Sequence, residues 1–261
     1  MSTITKAEGK YYASLKQKKY RDLEKKFIIE GTHLIEEVLT SGYYNKNLDK
    51  VFIRNDYTDD AILKKLSKAG VPVFSIESKT FDKIADTVTP QGIFGIVKYL
   101  ETAPEASQGS LIIAFDEIND PGNLGTILRT AYWFGVKRAA LSKNSVDIYN
   151  PKVIRSSQGG SFNILAETNL DLHTYLSSKQ KDGWTVLLTD LSAEENISEM
   201  DFKAGEKYVV VFGSEANGIS KEILDDPGFR RVKIRAYSDC ESLNVGVSVG
   251  IVLNEIISKI R

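Results

Sequence analysis

The sequence predicts an α/β protein built in two parts. Three observations carry this. The runs 111–115, 184–188 and 208–212 are continuously apolar, as suits parallel strands covered on both faces. Segments with apolar residues at helical spacing lie between and after them. The stretch 101–110 (Glu-Thr-Ala-Pro-Glu-Ala-Ser-Gln-Gly-Ser) has no apolar periodicity and reads as a linker. The expected organisation is therefore a domain over 1–100, a linker over 101–110 and a second domain over 111–261.

The elements follow in order. A helix is expected over about 7–19, then a short strand at Phe27, Ile28 and Ile29. Leu34, Ile35, Val38 and Leu39 keep helical spacing over 32–39. Val51, Phe52 and Ile53 form the next strand, and a helix runs through Ile62 and Leu66. Strands at 73–74 and 93–97 complete a small α/β sandwich. In the second part the three apolar runs are strands, and helices are expected over about 124–134, 171–179 and 242–260. The class is α/β with a mainly parallel sheet. In such sheets ligands bind beyond the carboxyl ends of the strands.

Composition narrows the possibilities. Of 261 residues, 42% are hydrophobic and 26% charged, so real cores can form. No apolar run is long enough to cross a bilayer, and the first residues lack the apolar core of a signal peptide. Cys240 is the only cysteine, which excludes an internal disulfide and a cysteine-built zinc site. With only His33 and His173 besides, no metal site is expected. A reducing cytoplasm fits this composition. The net charge of −1 conceals an asymmetry: residues 1–100 hold 17 Lys and Arg against 13 Asp and Glu. Lys16, Lys18, Lys19 and Arg21 cluster near the start, with Tyr11, Tyr12 and Tyr20 interleaved. Such a segment can contact phosphates and stack on bases, or it can be a solvated helix face.

Neither a G-x-G-x-x-G turn nor a P-loop is present, so a nucleotide cofactor would be held some other way. Three segments stand out instead. Asp120-Pro121-Gly122 is turn chemistry, Asn123 is placed to cap the helix behind it, and Arg129 falls off that helix's apolar stripe. Gly213-Ser214-Glu215-Ala216-Asn217-Gly218 follows a buried strand, with glycines that let backbone approach a ligand. Ser242 can cap the last helix and Asn244 lies in its first turn, beside unpaired amides. Gly246 and Gly250 give that helix one narrow face. Each segment alone also reads as a capped helix or a strand-to-helix connection.

Together, and in this order, the three segments resemble the three motifs of the SpoU (TrmH-like) RNA ribose 2′-O-methyltransferases. Phe27-Ile28-Ile29-Glu30-Gly31 and Gln91-Gly92-Ile93 resemble the ends of the L30e-like substrate-binding domain that precedes the catalytic domain in many members. The resemblance implies a C-terminal trefoil knot, S-adenosylmethionine as methyl donor, an RNA partner, ribosomal more than transfer RNA, and a homodimer. It implies a site in which Arg129, Asn123, Glu215, Ser242 and Asn244 serve catalysis, while Gly213, Ser214, Ile234, Leu243 and Asn244 contact the cofactor. Lys16, Lys18, Lys19 and Arg21 are then the RNA-binding candidates. One departure stands out: the family's Ile-Pro-Met and following glycine are here Ile234, Arg235, Ala236 and Ser238. That departure raises the alternative of a non-catalytic RNA-binding relative. A small-molecule enzyme with an appended sandwich domain is a third reading.

Overall fold

The structure, a computed structural model, describes residues 4–100 and 109–260. Most of the expected linker, 101–108, lies outside the described residues. The chain forms two compact units.

The first unit begins with α1 (Lys6–Ser14), opened by a capping box in which Thr5 and Glu8 exchange hydrogen bonds. The single helix expected over 7–19 is two. The chain turns at Leu15 before α2 (Lys18–Glu24), because the Arg21 guanidinium, only 2% exposed, donates to the Leu15 and Lys16 carbonyls at 3.0 and 2.6 Å. Then come β1 (Lys26–Glu30), α3 (Thr32–Thr40), β2 (Leu48–Arg54), α4 (Asp60–Lys68), β3 (Val73–Ile76), α5 (Ser78–Ile84) and β4 (Ile93–Lys98). The sheet order is β1-β4-β2-β3, antiparallel on both sides of β4 and parallel between β2 and β3. Phe52, Phe81 and Phe94 pack on one face, Phe27, Ile35 and Leu66 on the other.

In the second half run β5 (Leu111–Phe115), α6 (Pro121–Trp133), β6 (Arg138–Ser142), α7 (Pro151–Ser157), β7 (Leu165–Leu170), α8 (Leu172–Lys181), β8 (Thr185–Thr189), β9 (Tyr208–Phe212), α9 (Lys221–Leu224), β10 (Arg230–Val232) and α10 (Val245–Ile260). Six strands form one sheet in the order β10-β8-β9-β5-β6-β7, and every pairing is parallel. The central strands β5 and β9 are buried at every residue, as their apolar runs require. On α6 the stripe Leu124, Ile127, Leu128 and Ala131 is buried. Each large residue of that stripe stabilises the fold by about 1.5–3 kcal/mol.

The narrow face of α10 meets α6. A Cβ on Gly246 would stand 3.4 Å from Thr126 Cγ2, and one on Gly250 3.6 Å from Thr130 Cγ2. The glycine face is therefore used within the unit.

One segment departs from the sequence division. Residues Tyr149–Asn163, expected in the second domain, cluster with the first unit. Tyr149 stacks on Tyr99 with centroids 3.8 Å apart and its hydroxyl meets that of Tyr44 at 3.0 Å. Ser41 Oγ donates to the Phe162 carbonyl at 2.5 Å, and Arg155 pairs with Asp86 at 2.7 Å. These partners are far from 149–163 in sequence, so no local signal announces them.

Candidate active site

The site lies in the second unit, beyond the carboxyl ends of β5, β9, β8 and β10. Its first part comes from the β5–α6 connection. Asp120, not Asn123, caps α6: its carboxylate accepts the Asn123 backbone N–H at 2.8 Å, and Pro121 takes the first helical position. The helix thus starts three residues earlier than expected. Asn123 sits in its first turn, and its side chain is left to face outward.

The second part is the turn after β9. The Ser214 N–H donates to the Gly218 carbonyl at 3.0 Å, Gly218 N–H returns to Ser214 at 2.9 Å, and Ser214 Oγ accepts the Asn217 N–H at 3.1 Å. Gly218 holds a positive φ of 67°. Gly213 admits no side chain, since a Cβ there would fall 2.0 Å from the Gly218 carbonyl carbon. Asp116, which the sequence reading passed over, anchors this turn. It is 6% exposed and accepts the Ser220 N–H at 2.8 Å. A charged residue directly after the apolar run of β5 was the available signal.

The third part precedes α10. That helix starts at Val245, not Ser242, and Asn244 is its cap. The Asn244 Oδ1 accepts the Gly246 N–H at 2.9 Å, and its carbonyl takes the first helical bond from Ser248 at 3.0 Å.

The three parts meet through side chains. Asn244 Nδ2 donates to Asn123 Oδ1 at 3.1 Å, and Asn123 Nδ2 donates to the Glu215 carboxylate. This chain fixes both amide orientations. Each amide keeps one N–H, and Glu215 keeps one oxygen, for a ligand. Beside the chain opens a cleft of about 700 Å³, lined by Gly213, Ser214, Glu215, Ile234, Ser242, Leu243 and Asn244, among others. The sequence reading missed its far wall, Thr189, Asp190 and Leu191 after β8, because those residues belong to none of the three segments. There Arg231 neutralises Asp190, its Nε donating at 2.6 Å.

Arg129 is exposed and makes no hydrogen bond or ion pair with another described residue. It stands six positions along the helix from Asn123, about 9 Å of rise and a turn of roughly 120° away from it. The structure therefore does not bring it into the Asn123–Glu215–Asn244 chain. Arg235 lines the cleft but sends its guanidinium to Glu199 at 2.8 Å, so the position that departs from the family pattern leaves the cleft open.

The basic start of the chain is less available than its sequence suggests. Arg21 is buried and braces the α1–α2 turn, so it is removed from the RNA-contact candidates. Lys16 donates to the Ala85 carbonyl at 2.6 Å, and Lys18 pairs with Asp22 at 2.9 Å. Lys19 is exposed, 5.9 Å from the centre of the Tyr20 ring. Among the described residues no group of His, Cys, Asp and Glu is arranged to hold a metal ion.

Fold and site define an α/β protein whose ligand cleft is shaped by loops at the ends of parallel strands, with an appended α/β sandwich. Residues 110–254 match the SpoU rRNA Methylase family, and residues 7–95 match the MRM3-like substrate binding domain. The chain belongs to the SpoU rRNA methylase family. It is 31% identical to a Synechocystis protein named as an uncharacterised tRNA/rRNA methyltransferase, over 98% of this chain and 93% of that one. It is 29% identical to the 23S rRNA (guanosine(2553)-2′-O)-methyltransferase RlmP of Bacillus subtilis, over 94% and 93%. The fold is shared with the AdoMet-bound rRNA methyltransferase of Sinorhizobium meliloti, with a TM-score of 0.85 at 24% identity, covering 100% of this chain and 98% of that one.

Proposed function

We propose that the protein transfers a methyl group from S-adenosylmethionine to a ribose 2′-hydroxyl of ribosomal RNA. The observation that carries this reading is the hydrogen-bonded chain Asn244–Asn123–Glu215, which joins three separate segments at the rim of the cleft. Family membership and the named relatives support the reaction class and the RNA. A cleft of about 700 Å³ lies within the size range of small-molecule cofactor sites. Gly213, Ser214, Ile234 and Leu243 line the wall, which supports their contact with a ligand held there. The cofactor, when bound, supplies a methyl group already activated by a sulfonium centre.

The residues then have two tasks: aligning the ribose and assisting a weak nucleophile. Asn123 and Asn244 orient the ribose through their remaining N–H groups, and Glu215 holds them in register. Ser242 faces the RNA. Arg129 grips a phosphate and stabilises developing charge on the sugar oxygen. A guanidinium holds its protons too tightly to act as a base, so the 2′-hydroxyl proton leaves to the neighbouring phosphate or to water as the methyl group is taken up. Since Arg129 turns away from its own chain's Asn123, it serves the site of a second copy in a homodimer. Exposed Trp133, Tyr132 and Val247 on α6 and α10 support burial of that surface in such a dimer. Lys18 and Lys19 add phosphate contacts. The trefoil knot around the 213–218 and 233–244 loops and a cytoplasmic location belong to the same reading. No helix among the described residues is long and apolar enough to cross a membrane.

The test is direct. The protein is incubated with methyl-labelled S-adenosylmethionine and RNA from cells lacking it, and ribose methylation is mapped. One ribosomal 2′-O-methyl site is expected. Labelling of transfer RNA would move the substrate to that class, and cofactor binding without labelling would make the chain a non-catalytic relative.

A further inference from the structure

The cleft has a large aromatic side chain that neither the fold nor the site described above employs. Tyr237 lies on the loop after β10, lines the cleft, and is 90% exposed. It has no ring contact or hydrogen bond with another described residue. Leaving so large a ring in water forgoes substantial apolar burial. The family pattern leaves this position open, so neither the turn nor the motif requires an aromatic residue there.

The cleft it lines carries both signs of charge, Lys233 and Arg235 with Asp190, Glu215 and Glu241. Arg230, Arg231 and Arg235 each pair with a carboxylate, from Glu195, Asp190 and Glu199 respectively. Lys233 lines the same cleft and has no ion-pair partner among the described residues. The Arg235–Glu199 pair is itself about half exposed, so a phosphate can displace the carboxylate at little cost. An unpartnered aromatic ring that lines the same cleft as one unpaired cation and one exchangeable cation suits a single RNA strand. Bases stack on such rings, and phosphates meet the cations.

We propose that Tyr237 is an RNA-recognition residue: a base of the bound strand stacks on its ring at the cleft mouth, with Lys233 and Arg235 holding the adjoining phosphate. This rests on the methyltransferase reading and adds to it a surface that selects the unstacked substrate strand. A ribose inside a regular duplex is poorly presented to the Asn123–Asn244 pair. A splayed nucleotide needs such a platform.

The test compares Tyr237→Ala and Tyr237→Phe with the natural protein. Methyl transfer is measured with labelled S-adenosylmethionine and ribosomal RNA from cells lacking the protein, and cofactor affinity is measured separately by calorimetry without RNA. Tyr237→Ala should raise KM for RNA about 5- to 150-fold, the stacking of one base expressed as a ratio. It should change kcat and cofactor affinity less than about twofold, and Tyr237→Phe should restore KM. An unchanged RNA KM, or weakened cofactor binding in Tyr237→Ala, overturns the proposal. Natural protein that labels no RNA overturns the methyltransferase reading itself, and the stacking role with it.

Discussion

Asn123 can link two other segments because Asp120 relieves it of capping. The amide bridges Asn244 and Glu215, so its loss strands one carboxylate and one amide without touching the cleft wall. Asn123→Ala should therefore slow methyl transfer by about 10²-fold, in the range of removing one positioned hydrogen-bonding group. Cofactor affinity by calorimetry should stay nearly intact; weaker binding with normal turnover at saturation would contradict this assignment. Arg129→Lys keeps the charge but loses the planar fork, and a drop of at least about tenfold in kcat/KM is expected. Nearly full turnover would show that any cation suffices. Asp116 is a different kind of residue. It is buried and holds the 213–220 turn by one hydrogen bond, so Asp116→Ala should cost about 1–3 kcal/mol in a denaturant titration.

At the scale of elements, the glycines separate by what a methyl group would meet. Gly213→Ala places a Cβ inside the backbone of residue 218, and should disrupt the turn and abolish cofactor binding in calorimetry. Gly250→Ala meets only Thr130 at ordinary contact distance in a helix interior, and should raise stability by about 0.5–1 kcal/mol. A lower thermal midpoint would show that α6 and α10 pack more tightly than their spacing indicates. The strands β5, β8 and β9 were legible because they are buried, apolar and uninterrupted. Three others were not. β6 is built partly from small residues, Arg138-Ala139-Ala140-Leu141-Ser142, which carry little strand character. β7 and β10 are the sheet edges, and their exposed polar residues break the apolar pattern. The caps were misread by a few residues at α6 and α10, since Asp120 and Asn123, or Ser242 and Asn244, are equally good capping types in a sequence. Only the hydrogen bonds distinguish them. Asn123, Glu215 and Asn244 meet by hydrogen bonds, whereas Arg129 stands apart, its direction following from helical phase and not from its proximity in sequence.

For the whole molecule, Arg129 and Asn123 make a test of assembly possible. If Arg129 completes the site of a second copy, Arg129→Ala and Asn123→Ala are each inactive alone but complementary when mixed. Equal mixing with exchange of subunits should restore roughly a quarter of normal activity, since about half the dimers are mixed and each has one intact site. No recovery, with exchange verified by mass, would place Arg129 in its own chain's site.

Residues Tyr149–Asn163 give the protein a property that a two-bead picture lacks. The polypeptide leaves the parallel-sheet unit after Ile148, contributes Tyr149 and Phe162 to the aromatic core of the sandwich, and comes back at Ile164. The sandwich is consequently not a module that can be clipped at its N-terminal boundary and traded between enzymes. A fragment ending near residue 100 would expose the hole those rings fill, and its counterpart would carry them naked into water. Any exchange of one half would have to keep, or rebuild, fifteen residues encoded in the middle of the other.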